Sequence, residues 1–103
     1  MIHIKANRKD GKIVYLSIQG HANSAEEGKD IVCAAISAIS VGGINALQNP
    51  KNFNLKVEKG DVEISVKSEA NEHDYQVLET MLVQMKSVEE TNSKYIEVVE
   101  KGS

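Results

Sequence analysis

Hydrophobic and polar residues alternate in several segments of the chain, and a period of two is typical of half-buried β-strands. The segments read "IHIKA", "IVYLSIQ", "NLKVE", "VEISVKS" and "YIEVVE". The first two flank "NRKDGK", in which Asp10-Gly11 is a strong hairpin signal, and the next two flank Lys59-Gly60-Asp61. The alternation therefore predicts two β-hairpins and a final single strand.

Two other segments predict helices. From about residue 71 to residue 90, apolar side chains recur at steps of three and four, which places them on one helix face. They are Tyr75, Leu78, Met81, Leu82, Met85 and Val88. The earlier segment follows a polar loop from Gly20 to Lys29; we expect it to begin with Asp30 as N-cap and to stop at Asn49-Pro50.

The predicted element order is ββαββαβ. This order favours the α+β class, in two layers, with two helices on one face of a mixed β-sheet. A length of 103 residues suits a single domain that spans residues 1–103. With 41% hydrophobic and 26% charged residues, the composition is that of a globular protein.

Charge and hydropathy narrow the choice of partners and compartment. A formal net charge of −3 argues against direct nucleic-acid binding, which requires clustered Lys and Arg. The N-terminus, "MIHIKANRKD", lacks the apolar core of a signal peptide, and the longest low-charge run is interrupted by Gly42-Gly43 and polar residues, unlike a membrane span. A single cysteine cannot form an internal disulfide. We therefore expect a cytoplasmic protein with a reduced thiol and no membrane partner.

That cysteine, Cys33, is the first candidate for chemistry. If Asp30 caps the helix, Cys33 lies in its first turn, where free N–H groups and the positive end of the helix dipole stabilise a thiolate. Asp30, Cys33 and Ser37 also fall within roughly 60° of one another around the helix, among apolar residues. This polar strip predicts a surface that faces something other than core. The structural alternative is a cysteine that only packs, since free cysteines are commonly buried.

A helix terminus alone does not activate a thiol. An ordinary thiol with a pKa of about 8.5 is only a few per cent ionised at neutral pH, and a helix end contributes about 0.3–1 kcal/mol, less than one pKa unit. Most of the activation must therefore come from an imidazolium. His21 is the candidate, because it lies where the second strand ends and its loop must return to the start of the helix. We read His3, inside a strand, and His73, at the start of the second helix, as surface residues.

Other site types do not fit the spacing. One cysteine and scattered histidines cannot supply the four ligands of a closed zinc site, and no C-x-x-C pair is present. Seven residues separate Gly20 from Gly28, whereas a phosphate-binding P-loop has four between its glycines. The sequence therefore predicts neither a metal nor another cofactor.

The stretch around these residues resembles a known signature. "GHA", five residues and then "GKDIVCAAIS" are similar to the motif of the ribosomal-processing cysteine proteases, which is G-H-A, a short variable loop, G-x-D-I-V-C-A and a Ser four positions after the Cys. The matching residues are Gly20, His21, Ala22, Gly28, Asp30, Ile31, Val32, Cys33, Ala34 and Ser37. Chain length and element order are also similar to those of the family.

The resemblance implies a small homodimeric cysteine endopeptidase. Enzymes of this family remove a short N-terminal extension from the precursor of a large-subunit ribosomal protein. By motif position, Cys33 would be the nucleophile that attacks the peptide carbonyl. His21 would be the general base that takes the thiol proton and later gives a proton to the leaving amine.

The remaining motif positions imply supporting roles. Gly20, Asp30 and Ser37 would support the site, and the loop that contains Ala22 and Gly28 would cover the substrate. Two questions stay open from the residues alone. Asp30 either orients His21 or only caps the helix, and Ser37 either bonds near the thiolate or back to its own helix. The oxyanion is expected against N–H groups at the helix start, with that of Cys33 a candidate.

A second class of function also fits. The first helix is apolar nearly all round, and Gly42-Gly43 would let another backbone approach closely, as in a noncatalytic dimeric assembly module associated with the ribosome. In that case Cys33 is inert packing and His21 an ordinary loop residue. The two classes predict different thiol reactivity, because only an activated thiolate is alkylated nearly as fast at pH 6 as at pH 8.

Overall fold

The structure, a computed structural model, describes residues 1–20 and 29–103. Its strands are β1 (Ile2–Lys9), β2 (Lys12–Gln19), β3 (Phe53–Glu58), β4 (Asp61–Val66) and β5 (Ile96–Gly102), and its helices are α1 (Lys29–Asn45), α2 (Glu72–Thr91) and a short 3-10 turn at Pro50–Asn52. The order ββαββαβ is the predicted one. Within residues 1–20 and 29–103, no helix combines the length and the hydrophobicity that a membrane span requires.

The strands form one mixed sheet in the order β3-β4-β2-β1-β5. β1 pairs with β5 in parallel, whereas β1–β2, β2–β4 and β3–β4 are antiparallel pairs. The pairing of β4 with β2 brings the second hairpin beside the first. β3 and β5 are therefore the two edges of the sheet.

Both predicted hairpin turns are present, and each depends on backbone that favours glycine. Asp10 and Gly11 have φ values of 53° and 78°, and two positive values in a two-residue loop fit a type I′ turn. Asp tolerates this conformation better than most residues. In the second hairpin Gly60 takes the positive φ, 75°.

A single core lies between the sheet and the helices. On β1 the buried residues alternate, with Ile2, Ile4 and Ala6 at most 3% exposed, so one face of the sheet is covered. The covering residues from α2 belong to the predicted helical stripe, and Leu78, Met81, Leu82 and Met85 are all buried. These residues form one cluster with the sheet residues, which confirms the two-layer arrangement.

The two helices pack closely at one glycine. A Cβ atom at Gly43 would overlap the side chain of Met81 on α2, whereas one at Gly42 would meet nothing within 4 Å. Gly43 thus serves contact between helices of the same chain. This use differs from the expectation that both glycines admit a second molecule.

α1 differs from the prediction at both ends. It begins at Lys29, before the expected cap Asp30, and it ends at Asn45, before Pro50. The early end has a physical cause, because the N–H groups of Gln48 and Asn49 donate to the buried carboxylate of Asp74 at 2.8 and 3.0 Å.

Asp74 is itself fixed at the start of α2. Its own N–H donates to the side chain of Asn71, the N-cap residue, at 2.7 Å. Burial opposes the charge of the Asp74 carboxylate, but the donors from Gln48, His73 and Asn49 outweigh it and hold its pKa below the ordinary range. This carboxylate therefore joins the chain after α1 to the first turn of α2.

Candidate active site

A cavity of about 390 Å³ lies between α1 and the end of the second hairpin. From α1 it is lined by Cys33, Ile36, Ser37, Ser40 and Val41. Strand residues form the opposite wall, which includes Ile2, Ile18, Val57 and Val62. A thiol and a hydroxyl thus open on a cavity whose other walls are largely aliphatic.

The helical period explains why the thiol faces this cavity. Cys33, Ser37 and Val41 follow one another at steps of four residues and lie on one side of α1, while Val32 is buried in the core. Cys33 is a free, half-buried thiol. The predicted polar strip on an apolar helix is therefore present for Cys33 and Ser37, and it faces a cavity.

Gly20 contributes to the same cavity, and the structure gives the reason for a glycine there. Its φ is +107°, and a Cβ atom would overlap the carbonyl oxygen of Met1. The N–H of Gly20 donates to the carbonyl of Gly60 at 3.0 Å. This bond joins the end of β2 to the turn of the second hairpin, so that both form one wall of the cavity.

The start of α1 changes the predicted position of Cys33. In a helix that begins at Lys29, Asp30 is the second residue and not the N-cap, and Cys33 lies in the second turn. The N–H of Cys33 then bonds within the helix, toward Lys29, and is not free to bind an oxyanion. The N–H groups that have no acceptor within the helix itself are those of the first turn, at Lys29, Asp30 and Ile31.

The hydroxyls of α1 separate into two kinds. Ser40 is buried and donates to the carbonyl of Ile36 at 2.8 Å, which is the back-bonding expected of a serine inside a helix. Ser37 is exposed and makes no hydrogen bond to any residue in the described part of the chain. Ser37 lines the cavity with Cys33, so a role of its hydroxyl beside the thiol stays a prediction.

The structure does not describe the motif residues between Gly20 and Lys29, and it places the two remaining histidines away from the cavity. His21, Ala22 and Gly28 lie outside the described residues, so the pairing of His21 with Cys33 stays a prediction. His3 and His73 are exposed, and neither lines the cavity. His3 lies 3.3 Å from Glu97, and the ring of His73 contacts Asp74 at 2.9 Å.

The sequence did not predict that the second hairpin forms a wall of the site. Val57 and the turn residues Lys59 and Gly60 reach the cavity because β4 pairs with β2, a contact between distant parts of the chain. No local motif marks these positions. The nearest signal was the turn at Lys59-Gly60, which indicates a hairpin but not its neighbours.

The charges of this hairpin are largely paired with one another. Lys56 lies 2.7 Å from Asp61 and 3.8 Å from both Glu58 and Glu63. The hydrogen bond from Lys56, followed by that from Gln19, lowers the pKa of Asp61 below its ordinary range. Lys56 and Glu63 face each other across the two strands, in register positions that alternate with the cavity-lining Val57 and Val62.

Comparison with known proteins gives a consistent result. The family model described as cysteine protease Prp matches residues 1–97. A relative from Staphylococcus aureus (strain Mu50 / ATCC 700699), named ribosomal processing cysteine protease Prp, is 32% identical over 91 residues, which cover 84% of this chain and 86% of the relative. Both findings confirm the family that the signature indicates.

Solved structures agree with the sequence comparison. The crystal structure of an essential ribosomal processing protease Prp from S. aureus with a substrate peptide has a TM-score of 0.86 and 29% identity, and covers 98% of this chain and 100% of that chain. The same S. aureus protease with a covalently linked product peptide has a TM-score of 0.84 and 30% identity, with the same coverage. Both the fold class and the enzyme class predicted from the sequence are thus confirmed. The chain belongs to the Prp family of cysteine proteases.

Proposed function

We propose that this enzyme is the endopeptidase that removes a short N-terminal extension from the precursor of a large-subunit ribosomal protein. The observation that carries the proposal is the position of Cys33, the only cysteine of the chain, on a cavity with a free thiol. Relatives named ribosomal processing proteases support the substrate class, and the S. aureus relative binds a substrate peptide.

The proposed chemistry is acyl transfer through a thioester. His21 holds the thiol proton as an imidazolium, and the sulfur anion of Cys33 attacks the carbonyl carbon of the scissile bond. The C–N bond then breaks, and His21 gives that proton to the leaving amine. His21 next takes one proton from water, whose oxygen attacks the thioester carbon. The C–S bond breaks and leaves the sulfur anion beside the protonated His21, and the acid product loses its remaining proton to solvent as it leaves as a carboxylate. The covalently linked product peptide of the S. aureus relative supports a covalent step.

The negative oxygen that develops during attack requires hydrogen-bond donors. The free N–H groups of the first turn of α1, at Lys29, Asp30 and Ile31, are the candidates, and the helix dipole adds to them. Gly20 and Ser37 support the site from opposite sides of the cavity, Gly20 as part of its wall and Ser37 as a hydroxyl one turn after the thiol. Asp30 contributes a negative charge to the first turn of the helix.

The walls of the cavity favour apolar substrate side chains beside the scissile bond. Ile18, Ile36 and Val62 line it, and Val41 and Val57 at its rim are 50% and 55% exposed. When an apolar substrate side chain covers this exposed aliphatic surface, burial favours binding by about 25 cal/mol per Å².

We propose further that the enzyme works in the cytoplasm as a homodimer. The apolar side chain of Ile31 on α1, which is 75% exposed and does not line the cavity, supports self-association. Light scattering coupled to gel filtration tests this assembly, and a single mass near 11.3 kDa at micromolar concentration would contradict it.

The test of the function is cleavage of the same organism's precursor ribosomal protein, followed by mass spectrometry of the product. We expect the wild-type enzyme to release one N-terminal fragment, and Cys33→Ala and His21→Ala to lose at least about 100-fold in kcat/KM. His3→Ala is the matched control, because His3 is exposed and does not line the cavity. Cleavage by Cys33→Ala at the wild-type rate would refute the assignment of Cys33 as the nucleophile.

A further inference from the structure

β3 is an edge strand that borders the cavity. Leu55 and Val57 pair with Ile64 and Val62, respectively, and so share the helix-facing side of the sheet with them. Ile64 is fully buried, whereas Leu55 and Val57 are 37% and 55% exposed. The apolar face of the sheet therefore continues beyond the helices to its edge, where Val57 lines the same cavity as Cys33.

The hydrogen bonds of the hairpin determine which main-chain groups of β3 are turned outward. The N–H of Lys67 donates to the carbonyl of Asn52 at 2.9 Å, directly beside the first pair of the β3–β4 ladder. Residues of an antiparallel strand alternate between bonding to the partner and turning away from it. Counted from Asn52, the residues that bond to β4 are Asn54, Lys56 and Glu58.

The intervening residues turn their N–H and C=O groups away from β4. For Phe53 this direction is confirmed by its N–H, which donates to the carbonyl of Pro50. Leu55 and Val57 follow with the same phase, so their main-chain groups face the side of β3 where no described strand lies. We call these main-chain groups the open edge of β3.

We propose that the substrate binds in extended conformation as an additional strand on the open edge of β3, with the main-chain groups of Val57 and Leu55 holding the peptide beside Cys33. This inference rests on the proposed function. Pairing through the main chain would align the peptide independently of its sequence, and alternate side chains would point over the apolar wall that Val57 forms.

The other edge of the sheet does not offer the same arrangement. β5 pairs with β1, and no residue of β5 lines the cavity that contains Cys33. On β3, the alternate residue Lys56 lies in a cluster with Asp61, Glu58 and Glu63. Such charges on an edge strand oppose pairing with the same edge of a second copy, so the edge stays accessible to a substrate peptide.

The first experiment removes one donor from the open edge. In Val57→Pro the N–H is lost, but that N–H makes no bond to β4, so the hairpin retains its ladder. Val57→Ala is the matched variant that shortens the side chain and keeps the N–H. With a synthetic peptide that spans the cleavage site, we expect kcat/KM of Val57→Pro to be about 5- to 10-fold below that of Val57→Ala, as a lost hydrogen bond predicts. Equal values for the two folded variants would overturn the proposal.

The second experiment changes only the substrate, so the folding of a variant cannot affect it. Peptides in which one amide N–H at a time is replaced by an ester oxygen are assayed with the wild-type enzyme. We expect losses of about 3- to 10-fold at alternate residues, because only every second N–H of a paired strand faces its neighbour. Losses without this period of two would overturn strand addition. A wild-type enzyme that leaves the unmodified peptide and the precursor protein intact would instead refute the proposed function.

Discussion

Gly20 lies at the end of β2 and lines the cavity that contains Cys33, so its replacement by alanine tests the structure at both places. With φ at +107°, a new Cβ atom would overlap the carbonyl oxygen of Met1 and lie 3.2 Å from the Met1 carbonyl carbon and 3.3 Å from Cα of Ile2. All three contacts are with backbone, which cannot move aside as a flexible side chain can. We therefore expect Gly20→Ala to weaken both the end of β2 and the cavity wall.

The magnitude follows from two costs. An L-residue with positive φ costs about 1–2 kcal/mol, and relief of the backbone contact adds strain of about 1–3 kcal/mol. Together we expect the free energy of unfolding to fall by about 2–5 kcal/mol. For a domain of this size, with a urea m-value near 1–1.5 kcal/mol/M, the midpoint should fall by about 2–3 M.

The chain contains a matched control for this substitution. Gly42 lies inside α1, and a Cβ atom there meets nothing within 4 Å. Gly42→Ala should therefore raise the free energy of unfolding by about 0.5–1 kcal/mol through helix propensity. Urea unfolding followed by circular dichroism measures both variants. If Gly20→Ala unfolds at the wild-type midpoint while Gly42→Ala behaves as expected, the described contact between Gly20 and Met1 is wrong.

Two further predictions concern carboxylates. Asp74→Asn should lower the free energy of unfolding at pH 7 by about 2–4 kcal/mol, because the bonds from Gln48 and Asn49 lose a charged acceptor. Since the pKa of Asp74 is lowered in the folded state, its stabilisation is present above the ordinary pKa of 3.8 and is lost as pH falls through the folded pKa. Urea titrations of wild type and Asp74→Asn should therefore differ less in free energy of unfolding at pH 3 than at pH 7. An equal difference at both pH values would contradict this prediction. In Asp30→Asn, kcat/KM should stay within about threefold of the wild-type value, because the charge of Asp30 then only interacts with the positive end of the helix dipole. A loss above about tenfold would instead indicate that its charge supports the imidazolium of His21.

The local part of the fold could be predicted because its signals are local. The turn at Asp10-Gly11 and the apolar stripe of α2 each depend on residues close together in the chain. The end of α1 could not be predicted, because it depends on Asp74, which accepts hydrogen bonds from the N–H groups of Gln48 and Asn49 across 26 and 25 residues of sequence.

The site divides in the same way. The motif and the helical period were sufficient to place Cys33 and Ser37 on one face of α1. The wall that contains Val57 required the pairing of β4 with β2, and the need for glycine at position 20 required the contact with Met1. Neither leaves a pattern in the sequence, since each joins segments that meet only in the folded chain.

If Cys33 is a thiolate paired with a protonated His21, its rate of alkylation changes little between pH 6 and pH 8. The chain has one cysteine, so the rate of reaction with iodoacetamide reports that thiol alone. An ordinary thiol with a pKa of 8.5 reacts roughly 75-fold faster at pH 8 than at pH 6. We predict a ratio below about fivefold for the wild-type enzyme and a return toward the ordinary ratio in His21→Ala. A wild-type ratio near 75, unchanged in His21→Ala, would show that Cys33 is an ordinary thiol that His21 does not activate.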